Sequence, residues 1–310
     1  MKFDLYHHHH RLQYLFLSKK FQSIVSHVDK SPLDKILVLN NKTHIIIVEY
    51  TDGVIEKQLC ESTFFAKKVI DTIEKLFDTS QKKKIYFRPL YSDSLSQSLK
   101  LMLNDRGWDL CSLLPWSYYA GNYIAFYEKR KEIRNFVFSN HRKNITFFGR
   151  LNEIVYPKVD TKLGSEYPVK RSDIKEILEE DDVIKHPSRV DRLNNFSKAN
   201  NININVISNS SEGLQSLNYM CNSKVLLQPH GVSVRHNIYE GMMLGIPSII
   251  ENTSYNPELF GLFQQISFEE NSKIEIIDNV ENQNLLIDFF ETKMTPDAII
   301  NLLIDNINLS

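Results

Sequence analysis

The sequence predicts a mixed α/β protein of two domains, the second of which is a doubly wound, mostly parallel sheet. Its 310 residues suffice for two domains, since domains mostly run on the order of 100 to 200 residues. A composition of 42% hydrophobic and 24% charged residues is typical of a folded globular chain. From residue 144 onward, short apolar runs alternate with helical or loop-forming sequence, as in successive βα units. We therefore predict an N-terminal domain at residues 1–140 and a C-terminal domain at residues 141–310.

The N-terminal domain is predicted to be α/β without a plain repeat of βα units. Its predicted helices are residues 12–28, 62–77 and 92–104. Its predicted strands are residues 35–39, 43–50, 54–59, 85–88 and 108–114. Turn signals at Asn40-Asn41 and Asp52-Gly53 separate the first three strands, which predicts an antiparallel meander. In the second helix, Phe65, Val69 and Ile73 recur every four residues and so share one face.

The C-terminal domain is predicted to contain four parallel strands separated by helices and loops. Its predicted strands are residues 145–148, 202–207, 224–228 and 246–250. An acidic helix is predicted at residues 173–180, within a long polar interval that has little regular pattern. Thr295-Pro296-Asp297 opens a final helix that ends near Ile307, because proline is favoured at the first helical position.

The most informative stretch of the sequence is residues 224–250. It contains a strand, a turn at Pro229 to Gly231, a helix opening near Ser233, a helix stop at Gly245 and a second strand. Val234, Ile238 and Met242 are spaced by four, which predicts one buried stripe on this helix.

This order of elements favours a nucleotide as ligand. A helix amino terminus at the carboxyl edge of a parallel sheet offers unpaired N–H groups and a positive dipole to a phosphate. Gly231 permits close backbone approach, and Ser233 can cap the helix or bind a phosphate oxygen. About two turns further on, Glu240 can accept hydrogen bonds from ribose hydroxyls.

The same stretch resembles the donor domain of GT-B glycosyltransferases, in particular the exostosin-like and group 1 enzymes. The residues that carry the resemblance are Pro229, Gly231, Ser233, Glu240-Gly241 and Gly245-Ile246-Pro247. A second match, Thr146-Phe-Phe-Gly-Arg-Leu151, is similar to the strand and Gly-Arg turn that open the donor domain. The resemblance implies a two-domain GT-B-like fold with an atypical α/β N-terminal domain.

The resemblance also implies roles for individual residues. Arg150 would be the catalytic residue, stabilising the departing diphosphate as the glycosidic bond breaks. The implied donor-binding residues are Gly149, His230, Gly231, Ser233, Arg235, Asn237 and Glu240. His230 could equally be a turn residue that binds no ligand.

Two departures from the family pattern leave the subfamily and the stereochemical outcome open. Eight residues before Glu240, where group 1 enzymes often carry another glutamate, stands Val232. Asn237 stands where exostosin-like members tend to have arginine, while Arg235 and His236 come earlier.

No metal is expected, because the Asp-x-Asp triplet of the other major glycosyltransferase fold does not occur. The base that deprotonates the acceptor is expected from the N-terminal domain, with Asp52, Asp93 and His7 to His10 as candidates. The four histidines are interpreted first as a native surface segment rather than as a metal site.

Aromatic residues of the N-terminal domain have two possible roles. Trp108, Trp116, Tyr118, Tyr119 and Tyr123 could stack on a sugar acceptor. Aromatic side chains more often fill a core, which is the interpretation that we prefer.

Charge and cysteine content predict a cytoplasmic protein and give no reason to expect nucleic acid as a partner. The formal net charge of −1 provides no overall attraction to nucleic acid. Three widely spaced cysteines suggest neither a disulfide framework nor a zinc site. We expect no signal peptide and no transmembrane segment.

The predicted function is transfer of a sugar from a nucleotide-diphosphate sugar to a hydroxyl acceptor on a glycan precursor. No cofactor is expected beyond this co-substrate, for which UDP is favoured only by the breadth of its use. The alternatives are a glycosyltransferase that acts on modified DNA bases and a catalytically inactive subunit that binds nucleotide or glycan. A dehydrogenase is disfavoured because no Gly-x-Gly-x-x-Gly follows a strand.

Overall fold

The structure is a computed structural model, and the part of the chain that it describes falls into two compact units. The described residues are 1–6, 12–29, 36–49, 63–89, 97–113, 123–149, 155–157, 183–185, 189–207, 213–229, 236–251, 261–268, 273–276 and 279–309. Unit 1 comprises residues 1–117, 155–184 and 296–310, and unit 2 comprises residues 118–154 and 185–295. Residues 118–140 thus group with unit 2, whereas residues 155–184 and the last helix group with unit 1.

Helices and strands alternate along much of the described chain. The strands are β1 (Phe3–Tyr6), β2 (Val25–Asp29), β3 (Ile36–Asn40), β4 (His44–Glu49), β5 (Lys83–Pro89), β6 (Trp108–Leu113), β7 (Asn144–Phe148), β8 (Val155–Pro157), β9 (Val183–Lys185), β10 (Ile204–Ile207), β11 (Ser223–Gln228), β12 (Ser248–Glu251) and β13 (Gln264–Ile266). The α-helices are α1 (Leu12–Leu15), α2 (Lys19–Ile24), α3 (Thr63–Leu76), α4 (Gln97–Asp105), α5 (Tyr123–Glu128), α6 (Arg130–Ser139), α7 (Arg189–Asn200), α8 (Gly213–Cys221), α9 (His236–Leu244), α10 (Val280–Phe289) and α11 (Pro296–Leu309). A π-helical turn, Phe290–Met294, joins α10 to the residues before α11.

Unit 1 contains a six-stranded mixed sheet in the order β2-β1-β3-β4-β5-β6. β3 pairs antiparallel with both β1 and β4, whereas β4, β5 and β6 are parallel to one another. The predicted hairpin of the first two meander strands is therefore confirmed, and the third, at residues 54–59, lies outside the described residues. Ile73 of α3 is fully buried, as its helical spacing predicts.

The predicted single helix at residues 12–28 is wrong beyond residue 24. The Ser18 hydroxyl caps α2 by accepting a hydrogen bond from the Phe21 N–H at 3.2 Å, so a new helix begins there. The chain then becomes the strand β2, which pairs parallel with β1. β-Branched Val25 and Val28 suit a strand, but only the partner strand, which is distant in sequence, favours it over a continued helix.

Unit 2 contains a five-stranded sheet in the order β10-β7-β11-β12-β13, in which every neighbouring pair is parallel. Side chains of Leu193 and Phe196 on α7 pack in one core cluster with Val225 and Leu227 of β11. Leu226 points to the opposite face because side chains alternate along a strand, and there it lies under Gly241 of α9. Helices thus cover both faces of a parallel sheet, as predicted for this half of the chain.

Candidate functional site

The order of the strands in unit 2 indicates where along the sheet a ligand would bind. Counted from β7 along the chain, the order is 2-1-3-4-5, which is the flavodoxin-like order. The chain passes from β7 to β10, which lies on one side of β7, and then from β10 to β11, which lies on the other side of β7. In open α/β sheets, ligands bind outside the carboxyl ends of the strands at this switch point. It lies between the ends of β7 and β11, which are Phe148 and Gln228.

Gly149 directly follows β7 at this switch point. Its φ is 144°, a backbone conformation that residues with a side chain rarely adopt. Its N–H donates a hydrogen bond to the carbonyl oxygen of Ile207 at 3.0 Å, at the end of the neighbouring strand β10. Gly149 is thus located at the carboxyl edge of the sheet, and replacing it would strain the backbone there.

Five of the predicted site residues cannot be located in the described part of the chain. Arg150, His230, Gly231, Ser233 and Arg235 all lie outside it. The same holds for the candidate bases Asp52, Asp93 and His7 to His10, and for the aromatic residues Trp116, Tyr118 and Tyr119. Trp108 is only 1% exposed, and its Nε1–H donates to Glu74 Oε1 at 3.0 Å, so this tryptophan belongs to the core of unit 1.

Helix α9 follows the switch point and carries the other two predicted residues, Asn237 and Glu240. They are three residues apart and therefore lie on the same side of the helix. Asn237 is 5% exposed, and Glu240 is partly exposed as a residue although its carboxyl group is buried. Desolvation of the carboxyl by burial raises the pKa of Glu240 to about 8. In the free protein this carboxyl is therefore mostly protonated at neutral pH.

The remainder of α9 is held tightly in the core of unit 2. Ile238 and Met242, two members of the predicted stripe, are fully buried. At Gly241, a Cβ atom would lie 2.5 Å from Leu226 Cδ1, so the helix approaches β11 more closely than a side chain at this position allows. The backbone that carries Asn237 and Glu240 is therefore anchored against the strand that ends at the switch point.

The carboxyl end of α9 stops at Gly245, as predicted. Gly245 has a φ of 74°, its N–H donates to the Met242 carbonyl at 3.0 Å, and the Ile246 N–H donates to the Gly241 carbonyl at 2.8 Å. This pair of bonds is a Schellman motif, which satisfies carbonyls at the helix end. A Cβ at Gly245 would also lie 2.9 Å from Ile287 Cδ1. Both conformation and space favour glycine.

A buried ion pair that the sequence did not predict lies at the carboxyl edge of the sheet. Arg192 of α7 is 6% exposed, and its Nη1 lies 3.0 Å from the Pro229 carbonyl oxygen and 3.1 Å from Glu251 Oε2. Glu251 Oε2 also accepts a hydrogen bond from the Phe268 N–H at 3.4 Å. The sequence feature that could have indicated this ion pair is Glu251, a carboxylate that directly follows the apolar run Ile249-Ile250.

A second unpredicted cluster supports the other end of α9. Arg134 of α6 is 7% exposed; its Nε donates to the Met243 carbonyl oxygen at 2.6 Å and its Nη2 to Glu291 Oε1 at 2.6 Å. Arg130 forms a bidentate pair with Glu291, at 2.8 and 3.0 Å. Burial alone would raise the pKa of Glu291, but hydrogen bonds and charge from both arginines outweigh it, so that pKa is lowered.

Two further properties concern metals and membranes. Within the described ranges, no group of three or more His, Cys, Asp or Glu side chains is placed to hold a metal ion. Of the helices described, none combines the length and apolar character needed to cross a membrane.

Comparisons with known proteins identify no relatives. No protein-family model matches the chain, and searches of curated proteins and of solved structures likewise return no match.

Proposed function

We propose that the protein is a GT-B-type glycosyltransferase whose unit 2 binds a nucleotide-diphosphate sugar and transfers the sugar to a hydroxyl acceptor. One observation carries this proposal. Gly149-Arg150 and Pro229 to Gly231, the two turns that resemble the donor site, follow the two strands that flank the switch point of the parallel sheet.

The diphosphate would lie at the switch point. Gly149 has a φ of 144° and no side chain, which would allow a phosphate to approach the backbone closely at the end of β7. In the transfer step, the bond between the sugar C1 and the diphosphate oxygen breaks with both electrons staying on the oxygen. The acceptor oxygen bonds to C1 and loses its proton to a base. Arg150 would stabilise the charge that accumulates on the diphosphate.

The ribose would lie beside α9. Asn237 and Glu240 share one side of the helix that follows β11, so their amide and carboxyl groups would together bind the two ribose hydroxyls. Because the pKa of Glu240 is about 8 in the free protein, accepting hydrogen bonds from both hydroxyls as a carboxylate requires the loss of a proton. Nucleotide binding should therefore release a proton near neutral pH.

A thermal-shift series with UDP, GDP, CMP and dTDP tests donor binding. A ligand that binds only the folded state raises the melting temperature, by a few degrees at saturation. Arg150→Ala and Glu240→Gln should each reduce the shift produced by the effective nucleotide. Glu281→Gln is the matched control, since Glu281 is an exposed carboxylate in the first turn of α10. Absence of a shift with every nucleotide would contradict the proposal.

Hydrolysis of the corresponding nucleotide sugar separates an enzyme from a binding subunit. Release of free sugar by the purified chain, lost in Arg150→Ala, would identify a glycosyltransferase active site. Nucleotide binding without any turnover, with or without acceptor, would instead indicate the catalytically inactive subunit.

A further inference from the structure

We infer that Arg192 and Glu251 form a positioning pair for the candidate nucleotide site, holding the carboxyl ends of β11 and β12 in the arrangement that the ligand requires. The inference rests on the proposed function, because it concerns the same edge of the same sheet. Neither residue is proposed to contact the ligand.

The first support is the set of groups that the pair connects. The Arg192 guanidinium comes from α7 and reaches the carbonyl oxygen of Pro229, the residue that directly follows β11. The same Nη1 meets Glu251, the last residue of β12, and Glu251 in turn accepts the N–H of Phe268, two residues beyond β13. One buried pair therefore links the carboxyl ends of three successive parallel strands.

The second support is energetic. Burying an arginine and a glutamate removes both charges from water, and apolar residues of similar volume are often as stabilising as a buried ion pair. A contribution to stability therefore does not explain why this pair is present beside an apolar core cluster that includes Leu193, Phe196 and Phe268. A guanidinium does provide directional hydrogen bonds that apolar side chains cannot replace. Its bond to the Pro229 carbonyl connects α7 to the residue that directly follows β11.

The third support is the location of the pair within the sheet. β11 is one of the two strands that flank the switch point, and Pro229 is the first residue after its carboxyl end. A small displacement of this carbonyl would move the start of the turn that the proposed diphosphate site requires. Errors of about 1 Å in positioning a site can reduce activity on the order of a hundredfold.

The decisive variant is Arg192→Met, which retains most of the side-chain volume and removes the charge and the hydrogen bonds. Its nucleotide dissociation constant should rise about tenfold or more relative to the parent protein. Arg192→Lys should recover part of the affinity, since a lysine can donate to one of the two acceptors. Arg106→Met is the matched control, because Arg106 is paired with Asp71 and Glu74 within unit 1.

Hydrogen exchange provides a readout that needs no nucleotide. In Arg192→Met, amides of residues 226–240 and of residues 251–268 should exchange faster, while amides of β7 serve as an internal reference for overall stability. Faster exchange at this edge together with weaker binding supports the inference. If the variant only melts at a lower temperature, with affinity and edge exchange equal to those of the control, the inference is overturned.

The two proposals fail in different ways. If the parent protein binds no nucleotide, the proposed function fails, and with it the link to a ligand. Exchange at the edge then still decides whether Arg192 positions the ends of β11 and β12. If the parent protein binds nucleotide and Arg192→Met binds it equally well, only the positioning inference is overturned.

Discussion

Two buried arginines donate hydrogen bonds to backbone carbonyls at the two ends of residues 229–243, and they lie at different edges of the sheet. Arg192 donates to the Pro229 carbonyl where the segment leaves β11, and Arg134 donates to the Met243 carbonyl where α9 ends. Each arginine is also paired with a glutamate, Glu251 or Glu291. The chemistry is alike, but the first pair lies at the carboxyl edge and the second at the side where β12 begins.

This difference predicts different roles for the two pairs. A cation beside the last carbonyls of a helix is favoured by the helix dipole, so Arg134 and its partner stabilise α9 itself. The carboxyl edge is where parallel α/β sheets bind ligands, so Arg192 acts on the position of a binding loop. Loss of either pair should lower stability, but only loss of the Arg192 pair should also weaken nucleotide binding.

The largest expected effect is that of Arg134→Met. The substitution removes the hydrogen bond to the Met243 carbonyl and one of the two arginine partners of Glu291. Because a hydrogen bond to a charged group contributes about 1.5 to 3 kcal/mol, losing both should cost about 3 kcal/mol or more. Urea denaturation should show this loss, while the folded variant binds nucleotide as the parent does. A loss of nucleotide affinity as large as that of Arg192→Met would contradict the division of roles.

Gly245→Ala should be the next most destabilising change, at about 2 to 3 kcal/mol. Alanine at a φ of 74° is strained, and its Cβ would lie 2.9 Å from Ile287 Cδ1. Gly107→Ala is the control, since Gly107 has a φ of 71° but no atom within 4 Å of a Cβ. The control should lose only about 1 kcal/mol. Equal losses in denaturant midpoints would show that packing at the end of α9 contributes nothing.

The proton on Glu240 predicts a pH dependence of nucleotide binding, the third largest effect. If the bound form is the carboxylate, affinity rises with pH by up to about tenfold per unit. The rise ends near the free-protein pKa of about 8. Calorimetry in two buffers with different ionisation enthalpies should detect the released proton, and Glu240→Gln should abolish the dependence. Affinity that is constant or falls with pH would exclude an ionised Glu240 in the complex.

Acid sensitivity of the Arg134 cluster is the smallest expected effect. The folded-state pKa of Glu291 is lowered from 4.5, so its contribution to stability is complete above that value and is lost as pH falls through the lowered pKa. Glu291→Gln should therefore reduce the loss of stability between neutral and acidic pH. Denaturation at pH 7 and pH 3 measures this. An equal loss of stability on acidification in parent and variant would contradict this role of Glu291.

Much of the secondary structure could be predicted from local sequence. The hairpin of β3 and β4, helix α3, the strands of unit 2 and the helix stop at Gly245 all follow from signals within a few residues. The failure at β2 shows the limit of this approach. Val25 to Asp29 forms a strand because β1 provides a partner, and that partner is not visible in a short sequence window.

By itself, the sequence determined the type of most elements and the position of Gly149, Asn237 and Glu240 relative to the strands before them. Side-chain periodicity, caps and glycine stops decide these features because their interactions span only a few residues. Only the tertiary structure decided the strand order that makes the ends of β7 and β11 neighbours at a switch point. It alone also decided the partners of Arg192 and Arg134, since buried charges must find partners across the fold and sequence separation does not constrain that choice.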